Sequence, residues 1–427
     1  MASLPAILVE VSMISSTTST DLILDDAARG LLDTGTLAEG EPWTDVSAYV
    51  RSFSTQTGRN RPTETFKPGT ATVVLDNSEG RFDPENLSGP YVAAGETQLV
   101  PMTPIRISAV WDGIAYPLFT GYADAWSCQY PGMYDAITVV SITDAQKVLA
   151  KLVASAASSP VGEGESPGDR IDRVLDLWNW PAGERNIETG LNTLQATTLA
   201  QPALEEIDGV VASEYGDFFI DPSGRPEFAQ RYARSTRVRS INSQVTFSDV
   251  QADVEASSAV GYTDIARVGD GDLIRNTVTR GNVGGEAQSV TDVDSVARYQ
   301  TVTDVKTDLV NDSDAQALVV AQWIVGLFGQ WEQRVAHVDV MPAGHPDPSY
   351  AWPLLLGLRF LDQVTVVRTP PNVSQITGQH FVDGLDWSGD ASNWTVKVYL
   401  ASATGQLGLF ILDDTTLGIL DDGVLAA

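Results

Sequence analysis

Short segments in which apolar and polar residues alternate occupy the first and last thirds of this chain. Residues 70–75 (TATVVL) and 394–400 (WTVKVYL) show the alternation clearly. Side chains of a β-strand point alternately to opposite faces, so this period of two indicates strands that cover a core with one face. Asp112-Gly113 separates two further segments, 104–111 and 116–123, and this dipeptide is typical of a tight hairpin turn. The pattern predicts a mainly β protein.

A short helix is predicted from Asp144, and helical periodicity interrupts the β pattern in three further places. Residues 169–178 (DRIDRVLDLW) place apolar side chains at helical spacing, and a second helix is predicted from Ala203 onward. A third is predicted over Asp314–Phe328, capped by Asp312 or Ser313. The first two of these three helices, with a strand-turn-strand at 216–228, predict a small α+β unit in the middle of the chain.

These patterns divide the chain into four predicted parts. Residues 155–168 (SAASSPVGEGESPG) are rich in small and turn-forming residues and indicate the first boundary. The predicted parts are a first tube-like β-barrel domain (1–153), an α+β middle domain (154–242), a second tube-like β-barrel domain with one helix (243–405), and a C-terminal strap (406–427).

The strap repeats a segment from the start of the chain. Residues 23–38 (ILDDAARGLLDTGTLA) and 411–426 (ILDDTTLGILDDGVLA) are identical at ten of sixteen positions. Two interpretations stay open: a docking strap that another chain completes by strand addition, or a hairpin whose leucines pack on its own barrel. Ca²⁺ binding by the acidic pairs is the weaker interpretation, because adjacent carboxylates on a strand point to opposite faces. The predicted interface residues are Ile23, Leu24, Asp25, Asp26, Leu32, Ile411, Leu412, Asp413, Asp414 and Leu420.

The charge of the chain limits its partners. Acidic residues outnumber basic ones 56 to 26, which gives a formal net charge of −30 at pH 7. Contacts to phosphate groups depend on Lys and Arg, so we expect neither sequence-specific nucleic-acid binding nor attachment to anionic membranes. The acidic residues either line a channel through which DNA slides without adhering or serve solubility.

Few residues in the sequence suggest catalysis, a metal or a cofactor. Cys128 is the only cysteine, which excludes an intrachain disulfide and a thiolate zinc site. His337 and His345 are eight residues apart and match no helical zinc-protease motif. With 56 acidic residues, candidate carboxylate pairs for a glycosidase carry no information. We therefore expect a non-enzymatic protein that needs no cofactor and no metal.

The ten tryptophans leave one binding function open. Trp178 and Trp180 end an apolar helix, and Trp387 and Trp394 bracket a predicted hairpin turn. Such residues are mostly core or interface anchors, but a row of them on a surface would also bind sugar rings. A carbohydrate-binding role is therefore an alternative.

No segment of the sequence predicts membrane insertion or export. Residues 1–16 lack a basic start, and Glu10 interrupts their apolar run, so they do not resemble a signal peptide. No stretch approaches the ~18 uncharged apolar residues of a membrane-spanning helix. We expect assembly in the cytoplasm of the producing cell.

Several turn and core motifs follow one another along nearly the whole chain. They are Gly58-Arg59, Gly69-Thr70-Ala71-Thr72, Gly80-Arg81-Phe82-Asp83-Pro84, Pro117 to Tyr122, Trp180-Pro181, Glu214 to Asp221, and Gly378 to Trp387. Their order, more than any single motif, resembles minor tail proteins of phages that infect actinobacteria, in particular the hub of the tail tip.

This resemblance implies a trimeric hub in the virion tail tip, assembled in the bacterial host. Two tube-like barrels in each of three subunits would match a hexameric ring above them and surround the DNA-ejection channel. The implied partners are the distal tail protein, the tape measure protein and other tip proteins. A distal tail ring protein is an alternative. No lysozyme or peptidase domain follows in this sequence, so we expect no cleavage of peptidoglycan.

Overall fold

The computed structural model describes residues 4–13, 43–153 and 159–404, and β-strands dominate these residues. The prediction of a mainly β protein is confirmed. The described strands are β1 (Ala6–Ser12), β2 (Trp43–Asp45), β3 (Val50–Gly58), β4 (Lys67–Asp76), β5 (Val92–Ala93), β6 (Glu96–Thr97), β7 (Pro104–Trp111), β8 (Ile114–Gln129), β9 (Ile137–Thr143), β10 (Asn186–Ile187), β11 (Asp217–Ile220), β12 (Pro226–Ala229), β13 (Ser243–Ser248), β14 (Val260–Gly261), β15 (Asp264–Gly269), β16 (Thr277–Asn282), β17 (Gln288–Thr291), β18 (Thr303–Leu309), β19 (Gln333–Val340), β20 (Gln363–Arg368), β21 (Ile376–Asp390) and β22 (Trp394–Ser402).

Helices are fewer and mostly short. Single 3₁₀ turns lie at Ser47–Tyr49, Ala182–Glu184, Gly271–Leu273 and Pro342–Gly344. The described α-helices are α1 (Gln146–Leu149), α2 (Pro167–Asp176), α3 (Ala203–Glu214), α4 (Ala233–Thr236), α5 (Val238–Ile241), α6 (Gln251–Glu255), α7 (Val293–Tyr299), α8 (Asp314–Phe328) and α9 (Pro348–Leu356).

Fourteen of the described strands form one branched sheet with two arms. The N-terminal arm has the order β3-β4-β9-β8-β7-β1-β2. In the C-terminal arm, β21 carries β20, β13 and β14 on one edge and β22, β19 and β15 on the other. No barrel closes within the described residues, so the two predicted tube-like barrels are two arms of one continuous sheet. The four domain boundaries given above stay predictions.

The two arms join where β21 changes its partner. Residues 376–381 of β21 pair with β20, and residues 384–390 pair with β3 along the same edge. The register with β22 shifts between Val382 and Gly384, which places Asp383 in a bulge. Gly58 ends β3 with a φ of +89°, and a Cβ atom there would lie 2.2 Å from the Asp383 carbonyl oxygen. A side chain at position 58 would therefore force the two arms apart.

A single apolar core connects the arms, and helix α9 fills its centre. Buried residues from both arms, from Val9 to Leu400, belong to one cluster. Trp352 of α9 is fully buried, and its ring centroid lies 5.9 Å from that of Trp111 in β7 and 5.9 Å from that of Trp394 in β22. The indole of Trp352 therefore joins the two arms through apolar contact.

Two smaller units lie beside the large sheet. In the first, helices α2 and α3 pack on the sheet β10-β12-β11 around an apolar cluster that includes Ile171 and Phe228. This is the predicted α+β middle unit, and we call it the middle unit. In the second, α8 packs on the sheet β17-β16-β18 through buried residues that recur at helical spacing, among them Ala317, Val320 and Ile324.

Most strongly patterned elements form as the sequence predicts. Asp112 and Gly113, with φ of +49° and +78°, connect β7 to β8, as expected for a two-residue hairpin turn. Helix α8 spans the predicted residues, and α3 begins at Ala203. Strands β17 and β18 and helix α7 lie within residues 281–312, where no element is predicted above.

Candidate functional site at the junction of the sheet arms

Two arginines and two aspartates form a buried network where the sheet arms meet the middle unit. Arg59 follows β3, Asp383 lies in the β21 bulge, Asp217 begins β11, and Arg234 belongs to α4. The Arg59 Nε donates to Asp383 Oδ2 at 2.9 Å, and its Nη1 donates to Asp217 Oδ1 at 2.8 Å. The Arg234 Nη2 donates to Asp383 Oδ1 at 2.8 Å and to Asp217 Oδ2 at 3.1 Å. Each carboxylate therefore bridges both guanidinium groups.

The network keeps its charges although it is buried. Burial by itself would raise the pKa of Asp383, but the charges of Arg234 and Arg59 and their hydrogen bonds outweigh it, so this pKa is lowered. The pKa of Arg59 is raised. Burial alone would lower this pKa, but the charges of Asp217 and Asp383 outweigh the effect of burial. These shifts favour the charged forms of Asp383 and Arg59, and the network binds together segments that lie far apart in the sequence.

A cavity of about 460 Å³ opens beside this network. Six of the chain's 26 basic residues line it, against four acidic ones, although the chain as a whole is strongly acidic. Burial raises the pKa of Tyr215, which also faces the cavity, to about 12, so its hydroxyl stays protonated at neutral pH. The basic residues are Arg59, Arg231, Arg234, Arg275, Arg280 and Lys306.

A second cluster has the composition of a metal site. The potential ligand atoms of Asp264, His337 and Asp339 lie within 4.8 Å of one another on the paired strands β15 and β19. Burial lowers the pKa of His337, which favours the neutral imidazole that a metal binds. However, the Lys397 ammonium lies 3.4 Å from Asp339 and competes with a cation for that carboxylate.

The loop between β8 and β9 is the most exposed apolar feature among the described residues. Tyr130, Met133 and Tyr134 are 66%, 85% and 93% exposed. Large apolar side chains that extend into solvent are typical of surfaces that contact another protein. We call residues 130–134 the hairpin tip.

The interface residues predicted from the sequence repeat fall outside the described residues. This holds for both copies, 23–38 and 411–426, so their docking role stays a prediction. Two tryptophans considered for a sugar groove, Trp387 and Trp394, are 4% and 2% exposed and belong to the core. Trp331 is 45% exposed.

Sequence reasoning did not identify the junction network. Arg59 and Asp217 were noted only as parts of turn and strand motifs, and their partners lie between 17 and 324 residues away. Asp383 carried one usable signal, because it lies within the short run Phe381 to Leu385, whose other residues are apolar or glycine. A carboxylate inside such a run predicts a buried partner of opposite charge.

The comparisons with known proteins concern the fold. No protein-family model matches the sequence, and no curated protein matches it. The structure is similar to that of a tail protein from Neisseria meningitidis MC58, with a TM-score of 0.56, 12% identity, and coverage of 93% of this chain and 96% of that one. It is also similar to the 43 kDa tail protein of prophage MuSo2 from Shewanella oneidensis, with the same TM-score and identity, and coverage of 94% and 98%. The chain therefore shares its fold, over nearly its full length, with these two tail proteins.

Proposed function

We propose that this chain is a structural, non-enzymatic subunit of a phage tail, in the hub of the tail tip. The observation that carries the proposal is the fold shared with two tail proteins over at least 93% of both chains. At 12% identity this likeness concerns the backbone arrangement, and a tail role is its simplest functional counterpart. The resemblance of the sequence motifs to tail-tip hubs supports the same role independently.

The proposed assembly is a ring of three copies around a DNA-ejection channel. Each chain carries two sheet arms, so three copies would present six arms to a sixfold ring above them. The formal charge of −30 on each chain favours an acidic channel wall that repels DNA and lets it pass. The proposed partners are the distal tail protein, the tape measure protein and other tip proteins.

The direct test is the copy number of the assembled protein. The full chain, alone and with the adjacent tail proteins, is measured by mass photometry and imaged by electron cryomicroscopy. Three copies around an acidic channel are the expected result. Six copies would contradict the hub and favour a distal tail ring, and a monomer that binds glycans would favour an adhesin.

We propose the hairpin tip and the repeated segments as contacts with other tail proteins. Replacing Tyr130 and Tyr134 together with Ser should leave the fold intact but reduce incorporation into tails, because their rings are exposed and support no core. The control is Val373→Ser, which replaces another exposed apolar residue with Ser.

Deleting residues 411–427 tests the repeated segment, and it should likewise block tail assembly without unfolding the subunit. Normal infectious particles from either change would contradict the contact concerned.

A further inference from the structure

The cavity beside the charged network, which we call the junction cavity, is rich in basic residues although the chain as a whole is acidic. Basic residues are less than half as frequent as acidic ones in the sequence, but they outnumber acidic ones in the cavity wall. Burial raises the pKa of Asp208, one of the four acidic residues in the wall. The cavity is therefore a local site of positive potential.

Two arginines in the wall have guanidinium nitrogens without a partner. Arg231 and Arg234 are each 7% exposed. Within the described residues, Nε and Nη1 of Arg231 and Nη1 of Arg234 have no hydrogen-bond partner. Arg231 makes one side-chain hydrogen bond, from Nη2 to Asn192 Oδ1 at 3.3 Å. A buried cationic nitrogen without an acceptor is costly, so the site favours an added anion.

Arg275 is an arginine of the wall that has no carboxylate partner among the described residues, whereas Arg234 pairs with Asp217 and Asp383. The side chain of Arg275 donates from Nη1 to the carbonyl oxygens of Asp272 and Ile274, and it forms no ion pair with any described residue. Arg280, in contrast, is paired with Asp304 at 2.8 Å. Arg231 and Arg275 are thus the cavity arginines that form no direct ion pair with a described residue, and the guanidinium of Arg231 interacts with the buried Glu214 carboxylate only through space.

The rest of the wall is partly apolar. Trp323, Leu327 and Phe328 of α8 line the cavity, next to Phe66 from the loop before β4. A volume of about 460 Å³ is within the range of small-molecule sites, which are mostly apolar with a few polar groups that orient the ligand.

We propose that this cavity binds a small ligand that carries a carboxylate or phosphate group beside an apolar portion. Arg231 and Arg275 pair with the oxyanion, because guanidinium groups match the geometry of both anions. Trp323 and Phe328 contact the apolar portion. This site is separate from the proposed role in the tail and does not depend on it.

Binding is tested on the full chain with citrate and inorganic phosphate as probes. Each is titrated at constant ionic strength by calorimetry, and chloride serves as the reference anion. Saturable binding of citrate or phosphate, with the tighter of the two identifying the anion class, is expected. Affinity should fall tenfold or more in Arg231→Gln and Arg275→Gln, each of which removes one charge from the wall.

Arg298→Gln is the matched control, because Arg298 is exposed on α7 and is not among the residues that line the cavity. It should bind the probes as the unchanged protein does. Arg275→Gln keeps the proposal testable if Arg231→Gln fails to fold, since Arg275 lies in a surface-proximal loop before β16. Binding that chloride reproduces, or that all three variants retain equally, would overturn the proposal.

Discussion

The apolar centre around Trp352 and the charged network around Asp383 both join the same two sheet arms, but by different physical means. At Trp352, contact between rings excludes water, and its strength follows the buried area. At Asp383, four charges compensate one another only when all are present. The apolar junction therefore tolerates substitutions of similar volume, whereas the charged one depends on a complete set of partners.

Removing the indole of Trp352 should lower the free energy of unfolding more than the other substitutions do. Trp352→Ala leaves a cavity between Trp111 and Trp394, and we expect the free energy of unfolding to fall by about 4 kcal/mol. Denaturant unfolding measures this change. The control is Trp331→Ala, at a half-exposed position, with an expected loss below about 1 kcal/mol. Equal losses would show that α9 does not join the arms.

Neutralising Asp383 tests the charged junction. Asp383→Asn leaves Arg59 and Arg234 with one carboxylate between them, and we expect a loss of about 3 kcal/mol in the free energy of unfolding. The matched control is Asp135→Asn, which breaks an exposed pair with Arg51 and should leave stability unchanged. A second variant, Asp383→Leu, separates charge from shape: it should destabilise at least as much as Asp383→Asn. If it is as stable as the unchanged protein, the network is not what holds the junction.

Elements that depend on local sequence were predicted, whereas the helix that forms the apolar junction was not. The alternation of β4 and the Asp112-Gly113 turn follow from local rules, and both are confirmed. Helix α9 was missed because Pro348 and Pro353 interrupt its pattern, although a proline is favourable at a first helical position. Its role depends on contacts with strands more than 40 residues away.

Local pattern marks Asp383 as a buried carboxylate but does not identify its partners in the charged network. Arg59 and Asp383 are 324 residues apart, and 26 basic and 56 acidic residues allow far too many pairings to choose one. The continuous sheet was missed for the same reason, since only the β3–β21 pairing turns two arms into one sheet. Local periodicity specifies elements, while long-range pairing specifies how they join.

A buried histidine close to the charged junction in β21 makes stability depend on pH. Burial lowers the pKa of His380 to about 4, from an ordinary value of 6.5. The unfolded chain therefore binds a proton more readily, and this contribution to stability is full above pH 6.5 and is lost as the pH falls toward 4. Compared with His380→Gln, the unchanged protein should lose about 2 kcal/mol between pH 7.5 and pH 5. A difference between the two proteins that stays constant with pH would contradict this.

The smallest effect should come from a helix cap, which depends only on neighbouring residues. Ser166 precedes α2, and its hydroxyl accepts a hydrogen bond from the Asp169 N–H at 3.1 Å, while the Asp169 side chain accepts from the Ser166 N–H. Ser313 occupies the same position before α8 but makes no such side-chain bond. We expect Ser166→Ala to reduce the free energy of unfolding by about 1 kcal/mol and Ser313→Ala to reduce it by less. Equal losses in thermal unfolding would contradict the contribution assigned to the side-chain bonds of the α2 cap.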